Sequence, residues 1–340
     1  MINKTAMITI VGRPNVGKST LTNRLTGEKV AIVTPKPQTT RNRIFGVFEY
    51  GETQMILLDT PGFHKAKTKL GDYMIGVVKE SVADVDAVTL IVEPVNNIGT
   101  QEELLIRHIE NTRVPAVLVI NKIDTISVEE TLPIIERYSE RFAFDAIVPI
   151  SAKNGSGVQQ LLDVLVKYAT RGPQLFPDGM VTDQPEKQII AEIIREKLLI
   201  CLDREIPHGT AVEITKFSER DLAMSSELKI ENEKEDNCED KNENNKKKNA
   251  GTNDKINNKT SSLLPQDVII DIDATIYCEK ASHKGMIIGK NGSMLKKIGQ
   301  LAREDIERFM GTKVYLQTWV KVKENWRDNQ SLIGNFGYKT

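Results

Sequence analysis

The sequence predicts a mostly parallel α/β sheet with helices on both faces, followed by a smaller α+β unit. Three observations carry this. Short apolar runs recur through the first half, with helix-periodic segments between several of them. A glycine-rich loop, Gly12-Arg13-Pro14-Asn15-Val16-Gly17-Lys18-Ser19, joins the first run to a helical stretch. A Pro/Gly-rich break then gives way to a new pattern of one helix, two strands and a second helix. Strands alternating with helices imply a parallel sheet covered on both faces.

The elements follow in order. Met7–Val11 reads as a buried strand, and a helix runs from Lys18 to about Leu25. Further strands are expected at Met55–Leu58, Ala87–Val92, Ala116–Ile120 and Ile147–Ile150, a helix over Glu102–Ile109, and a last helix over Val158–Tyr168. This unit spans residues 1–172. Pro173, Pro177, Gly179 and Pro185 mark residues 173–185 as a linker. A second domain, 186–340, begins with an amphipathic helix at Glu186–Leu202, where Ile189, Ile190, Ile193, Ile194 and Leu198 keep helical spacing. Strands are expected at Thr210–Phe217 and Val268–Cys278. Between them, residues 231–260 hold nine Asn, eight acidic and seven Lys residues against three apolar ones. Such a stretch cannot bury enough surface to offset its ordering entropy. It reads as a disordered insertion at about 219–265, a solvated tether whose deletion should change little.

The 340 residues carry a net charge of -1, so no global field points to nucleic acid and any basic site must be local. Cys201, Cys238 and Cys278 form no metal-ligand spacing and suit a reducing compartment. The N-terminus is too short in apolar residues for a secretion signal, and no window has the roughly 18 apolar residues of a membrane span. A cytoplasmic protein is the expectation.

Four motifs follow strands, where loops of such sheets gather ligands. The glycines of the first turn backbone N–H groups toward anionic oxygens at a helix N-terminus. Lys18 is expected to bridge outer phosphates and Ser19 to offer its hydroxyl to Mg²⁺. Asp59-Thr60-Pro61-Gly62 follows the strand Met55–Leu58. Its aspartate suits the metal's water shell, and the Gly62 amide a terminal phosphate. Between them, Thr34-Pro35-Lys36-Pro37-Gln38-Thr39-Thr40-Arg41 offers a threonine for Mg²⁺; Thr40 is the first choice and Thr39 the second. Asn121-Lys122-Ile123-Asp124 chooses guanine: the Asp124 carboxylate accepts from the ring N–H and the exocyclic amine, Asn121 ties this loop to the phosphate loop, and the Lys122 stem covers the base. Ser151-Ala152-Lys153 offers backbone N–H to the guanine carbonyl. Together they read as a pocket for GTP and GDP and a GTP-hydrolysing switch.

Many GTPases place a water-orienting glutamine just after the second motif. Phe63 stands there and cannot serve; His64 reads as a bystander. A partner residue, a backbone-held water or a monovalent cation remain. Asn15 favours the cation, because GRPNVGKS resembles the loop of potassium-stimulated GTPases, whose matching asparagine ligates K⁺. Lys18, Thr40, Gly62 and Asn15 are the candidate catalytic residues.

In the second domain, Gly285-Met286-Ile287-Ile288-Gly289-Lys290-Asn291-Gly292 precedes a helical pattern through Met294, Leu295, Ile298, Leu301, Ala302, Ile306 and Phe309. The Gly289–Gly292 turn admits a sugar–phosphate chain closely. Ile287 and Ile288 would floor the bases, and Lys290, Asn291, Lys296 and Lys297 would meet the backbone. Residues 279–327 hold eleven Lys/Arg against five acidic residues, a local basic excess fitting phosphate tracking. On the terminal strand Lys313–Lys323, Tyr315 and Trp319 share a face; packing under a neighbouring helix is favoured over base stacking. Single-stranded RNA is favoured over duplex DNA, since no base-reading recognition helix stands out.

GRPNVGKST, PQTTR, DTPG, NKID and SAK, followed by EIPHGTAVEI, GMIIGKNGSMLKKIG and LQTWVKVKENWR, resemble the Era family of bacterial ribosome-assembly GTPases over nearly the whole chain. The resemblance implies an α/β P-loop GTPase domain followed by an α+β type II KH domain. It also implies a monomer that binds 16S ribosomal RNA near its 3′ end, assists 30S subunit assembly under nucleotide control, and associates loosely with the cytoplasmic membrane face. The insertion departs from the family pattern. Competing readings are a GTPase acting on tRNA or large-subunit maturation and a nucleotide-insensitive RNA-binding module.

Overall fold

The computed structural model describes residues 2–63, 66, 68–203, 206–221 and 268–338. His64 and the expected insertion from residue 222 onward lie outside them.

Among the described residues the first domain is built on a seven-stranded sheet. Its order is β2 (Ile44–Tyr50), β3 (Thr53–Asp59), β1 (Lys4–Gly12), β4 (Ala87–Val92), β5 (Ala116–Ile120) and β6 (Ala146–Pro149), with β7 (Thr170–Arg171) pairing β1. β3, β1, β4, β5 and β6 run parallel; β2 is antiparallel to β3 and β7 to β1. Successive side chains of a strand point to opposite faces, and both faces are buried. Ile8, Ile10, Met55, Leu57, Ile91 and Val119 pack with Leu21 and Leu25 of α1 (Lys18–Thr26) and Leu161 and Leu165 of α5 (Val158–Leu165). Val11, Val88, Leu90, Leu118 and Ile120 face the other way. They meet α2 (Lys69–Glu80), α3 (Thr100–Thr112) and α4 (Val128–Arg141) through Val78, Leu105, Ile106, Ile109, Ile134 and Tyr138. The motif loops therefore leave the carboxyl ends of β1, β3, β5 and β6 along one edge.

Residues 173–185 run beside β2 instead of hanging free. The buried Gln54 accepts from the Leu175 and Phe176 amides (2.9 and 3.0 Å) and donates to the Phe176 carbonyl, and the Val47 amide donates to the Val181 carbonyl at 2.8 Å.

The second domain comprises α6 (Glu186–Cys201), β8 (Ala211–Asp221), β9 (Val268–Cys278), α7 (Ala281–Ile288), α8 (Ser293–Met310) and β10 (Lys313–Val322). Its sheet has the order β10-β9-β8, with β9 parallel to β10 and antiparallel to β8. A parallel pair needs a crossover, which the α7–turn–α8 unit supplies. Ile190, Ile194 and Leu198 of α6 and Ile298, Ala302 and Ile306 of α8 pack on Ile270, Ile272, Ala274 and Ile276 of β9. After β10 the chain returns as a turn at Trp326–Asp328 and α9 (Gln330–Asn335) to the first domain. There Trp326, Ile333, Phe336 and Tyr338 bury against Leu70, Tyr73, Met74 and Val77 of α2.

Three expectations are corrected. Glu219, Arg220 and Asp221 pair with Ile270, Ile269 and Val268, so the hairpin carries regular strand beyond the expected start of the insertion. The alternating faces put Val314, Leu316, Val320 and Val322 into the core, so Tyr315 and Trp319 point away from the helices and are 51% and 44% exposed. Ile287 is 0% exposed and packs inside the core instead of flooring the RNA face, which leaves the half-buried Ile288, the last residue of α7, as the apolar position beside the turn. No helix among the described residues is long and apolar enough to cross a membrane.

Candidate nucleotide site and RNA groove

The phosphate loop depends on two close approaches. A Cβ on Gly12 would lie 2.4 Å from the Ile91 carbonyl oxygen, and one on Gly17 would lie 2.2 Å from the Asn121 amide nitrogen. Gly17 also has φ +102°, which only glycine adopts without strain. α1 starts at the next residue, so its unpaired N–H groups open onto the loop. Pro14 packs on Gly62, and the Val16 side chain lies in the core below. The Lys18 side chain curls back over the loop, donating to the Gly12 carbonyl (3.2 Å) and the Arg13 carbonyl (2.8 Å). Burial pushes its pKa down to about 8, against the opposing pull of Asp59.

Three hard oxygen donors meet beside it. Ser19 Oγ lies 2.9 Å from Thr40 Oγ1 and donates to Asp59 Oδ2 at 2.6 Å. Asp59 is fully buried, its Oδ1 has no hydrogen-bond partner among the described residues, and burial raises its pKa to about 6. A buried carboxylate oxygen left over beside two hydroxyls fits Mg²⁺, which takes such ligands. Thr39 turns away: its hydroxyl pairs with Thr34 (2.7 Å) and donates to the Lys36 carbonyl (2.6 Å). The geometry thus brings Thr40, the first choice, to this cluster. Thr60 Oγ1 donates to the Ile10 carbonyl (2.7 Å), anchoring Pro61 and Gly62. A Cβ on Gly62 would meet Pro14 Cα at 2.7 Å, so the second motif lies against the first. The Phe63 amide donates to the Gly12 carbonyl at 3.0 Å while its half-buried ring packs against the core. Asn15, with φ 65°, donates to the Pro35 carbonyl at 2.7 Å.

Asn121 joins three motifs. Its amide donates to the Val16 carbonyl (2.7 Å), and its oxygen accepts from the Ala152 amide (2.8 Å). Asp124 lies exposed on the following turn, beyond Lys122 in the left-handed region. Ser151 and Ala152 are buried and Lys153 is exposed. Residues outside the motifs brace this end. Glu93, just after β4, pairs with Lys122 and with Arg13 (3.1 Å), which also pairs with the buried Glu102. Arg24 of α1 donates to the Ala152 and Lys153 carbonyls. No sequence pattern marks Glu93, Glu102 or Arg24; each acts through a partner far along the chain.

In the second domain Gly289, Asn291 and Gly292 have φ 75°, 52° and 76°, giving the turn its tight reversal. A Cβ on Gly289 would lie 2.7 Å from Met294 Cβ, so the turn lies close on α8. Lys290, Asn291, Lys296 and Lys297 are exposed, and Ile288 is half-buried. From Gly292 a groove of about 490 Å³ runs between α8 and β10, lined by Leu295, Lys296, Arg303, Leu316 and Thr318. An apolar floor with basic walls suits bases below a sugar–phosphate chain.

A phosphate loop with guanine-selecting loops, in one chain with a GxxG turn and its groove, defines a P-loop GTPase joined to a KH domain. Residues 7–122 match the family profile of the 50S ribosome-binding GTPases, and residues 251–327 that of the KH domain. GTPase Era of Ruminiclostridium cellulolyticum is 44% identical over 340 residues, covering 100% of this chain and 99% of that protein. GTPase Era of Clostridioides difficile is 44% identical over 336 residues, covering 98% of each chain. The chain belongs to the Era family of GTPases. A solved structure of Era in complex with MgGDPNP and nucleotides 1506–1542 of 16S ribosomal RNA matches with a TM-score of 0.83 at 32% identity, covering 99% of this chain and 100% of that one. Era from Aquifex aeolicus, as a variant bound to GDP and AlF₄⁻, matches equally, with a TM-score of 0.83 and 32% identity.

Proposed function

We propose that this chain is a cytoplasmic GTPase switch that hydrolyses GTP to GDP and phosphate, binds 16S ribosomal RNA near its 3′ end through the KH groove, and assists 30S subunit assembly. The observation that carries the reading is the convergence of Lys18, Ser19, Thr40 and Asp59 at one end of a crevice whose other end Asn121 ties to the guanine loops. Lys18 neutralises charge on the outer phosphates. Ser19, Thr40 and Asp59 hold Mg²⁺, which shields the phosphate charge when bound. The Gly62 amide meets the last phosphate, and Asp124, Lys122 and Ala152 select and cover guanine. The exposed Lys290, Lys296 and Lys297 carry the RNA backbone. The test is binding of a fluorescent RNA matching the 16S 3′ end to the full chain with GDPNP, GDP or no nucleotide. Tighter binding in one nucleotide state is expected; equal affinity in all three leaves a nucleotide-insensitive module.

With no glutamine after the second motif to orient the water, a cation near the attacked phosphate would supply the charge that an arginine finger supplies in other GTPases. Asn15 lies in the phosphate loop and its side-chain amide donates to the Pro35 carbonyl at 2.7 Å, which leaves its side-chain oxygen as the atom that would ligate a monovalent cation. Turnover in KCl is expected to exceed turnover in NaCl at equal ionic strength, and Asn15→Ala to remove the difference. Equal rates for the wild type in both salts take Asn15 out of the mechanism.

A further inference from the structure

The threonine that meets Ser19 is gripped on both sides by the KH half of the molecule. The residue before it, Thr39, gives its carbonyl to Arg195 Nη2 of α6. Arg195 is 0% exposed and is braced by Glu192 one turn earlier (Nε to Oε1, 2.8 Å). The residue after it, Arg41, is 2% exposed and enters the second domain. Arg41 Nη1 donates to the Thr210 carbonyl (2.8 Å) and the Tyr338 hydroxyl (3.1 Å), and Nη2 donates to the His208 carbonyl (2.8 Å). Its guanidinium lies 5.6 Å from the Trp326 ring centroid and 5.7 Å from that of Tyr338. Trp326 in turn donates to the Gly209 carbonyl (2.9 Å), holding the same short turn in place. Six residues earlier than Thr39, the Val33 amide donates to the buried Glu196 (3.0 Å), also on α6.

Consecutive Cα atoms are about 3.8 Å apart. With the Thr39 carbonyl and the Arg41 guanidinium both held, the backbone at Thr40 has little room to withdraw from Ser19 while both grips last. Breaking the Arg41 grip strips a buried guanidinium of its three oxygen acceptors, and breaking the Arg195 grip leaves that guanidinium with Glu192 alone; an unpaired buried charged donor costs more than a lost neutral contact. The arrangement therefore favours two discrete states over gradual drift. Contact between a switch threonine and the metal is used with a triphosphate and released with a diphosphate.

We propose that Arg195 and Arg41 are positioning residues for the Thr40 hydroxyl, a two-armed clasp by which the KH domain completes the GTPase site and makes the preference for GTP over GDP depend on it. This rests on the switch reading above and names its regulation. Because binding couplings are reciprocal, any factor by which RNA in the KH groove changes GTP affinity through the clasp is matched by the same factor of GTP on RNA affinity. Ordinary glue between domains predicts something else: equal loss of affinity for both nucleotides, or none.

The test uses the full chain with Mg²⁺ and N-methylanthraniloyl-labelled GDPNP and GDP. Arg41→Gln and Arg195→Gln are each expected to weaken GDPNP binding about tenfold, a typical coupling size, with GDP affinity within about twofold of wild type. Arg195→Lys, which keeps the charge and reaches the Thr39 carbonyl with one donor, should recover part of the loss. Should Arg41→Gln fail to fold, Tyr338→Phe removes one acceptor while keeping the ring, and a smaller selective loss is expected. Equal effects on both nucleotides, or no effect in Arg195→Gln and Tyr338→Phe, overturn the clasp. A wild type that binds neither nucleotide overturns the switch reading itself; a wild type with normal binding and indifferent variants overturns the clasp alone.

Discussion

Lys18→Ala is expected to lower single-turnover GTP hydrolysis by at least about 10³-fold, with the chain still folded. Removing one neutral oxyanion donor costs about 10²–10³ in rate in a water-excluded site, and Lys18 brings a full charge. Its ammonium is held by the Gly12 and Arg13 carbonyls and has little freedom to reorganise. Its loss also leaves Asp59 without its opposing charge, in a site where burial already raises the carboxyl to about 6. Lys18→Arg should not rescue, because a planar fork cannot replace a point charge inside so narrow a loop. Stability moves the other way. The folded chain binds the Lys18 proton less tightly than the ordinary 10.5, at about 8. The cost of charging it is therefore complete below about 8 and fades as pH rises toward 10.5. Thermal melting of Lys18→Ala against wild type should accordingly be most favourable to the variant at pH 7 and less so as pH rises above about 8. Turnover within tenfold of wild type would show that the loop does not face the reacting phosphate.

The phosphate loop and the three motifs after it were legible because each is a contiguous run whose backbone does the chemistry. Their order along a parallel sheet also brings them to one edge. Asn121 was legible as a tie for the same reason: its partners Val16 and Ala152 lie inside other motifs. What escaped depends on partners that only the tertiary fold supplies. Glu93 and Arg24 are single charged residues in unremarkable surroundings, and they matter through Arg13, Lys122 and Ala152. Arg41 reads as the end of a polar loop until Trp326 and Tyr338, nearly 300 residues on, close around it. β2 was missed because an antiparallel edge strand broken by Gly46 shows little alternation. The burial of Ile287 is not visible in the sequence because apolar residues before a turn look alike whether they floor a ligand or a core. The outward face of Tyr315 and Trp319 is not visible because nothing in an alternating strand says which face lacks a helix.

Asp124→Asn should move the pocket from guanine to xanthine, with GTP affinity falling roughly 10⁴-fold or more, as when a site built on hydrogen-bond pairing meets the wrong partner. The carboxylate accepts from two donors on guanine, and charge-assisted bonds of this kind each contribute about 1.5–3 kcal/mol. An asparagine of the same shape turns an amine toward one of those donors, which adds a repulsive contact to the lost attraction. Xanthine carries a carbonyl where guanine has its amine, so the same asparagine amine gains an acceptor. The exchange leaves the rest of the site standing, because Asn121 and not Asp124 ties the base loop to Val16 and Ala152. Xanthosine triphosphate should therefore be hydrolysed by the variant at close to the wild-type GTP rate, a gain that a merely destabilised loop cannot produce. Competition binding of GTP against xanthosine triphosphate, with turnover on each, reads both effects. Lys18→Ala and Asp124→Asn then fail in different quantities, one in rate and the other in affinity. That separation is what two ends of a single bound nucleotide require.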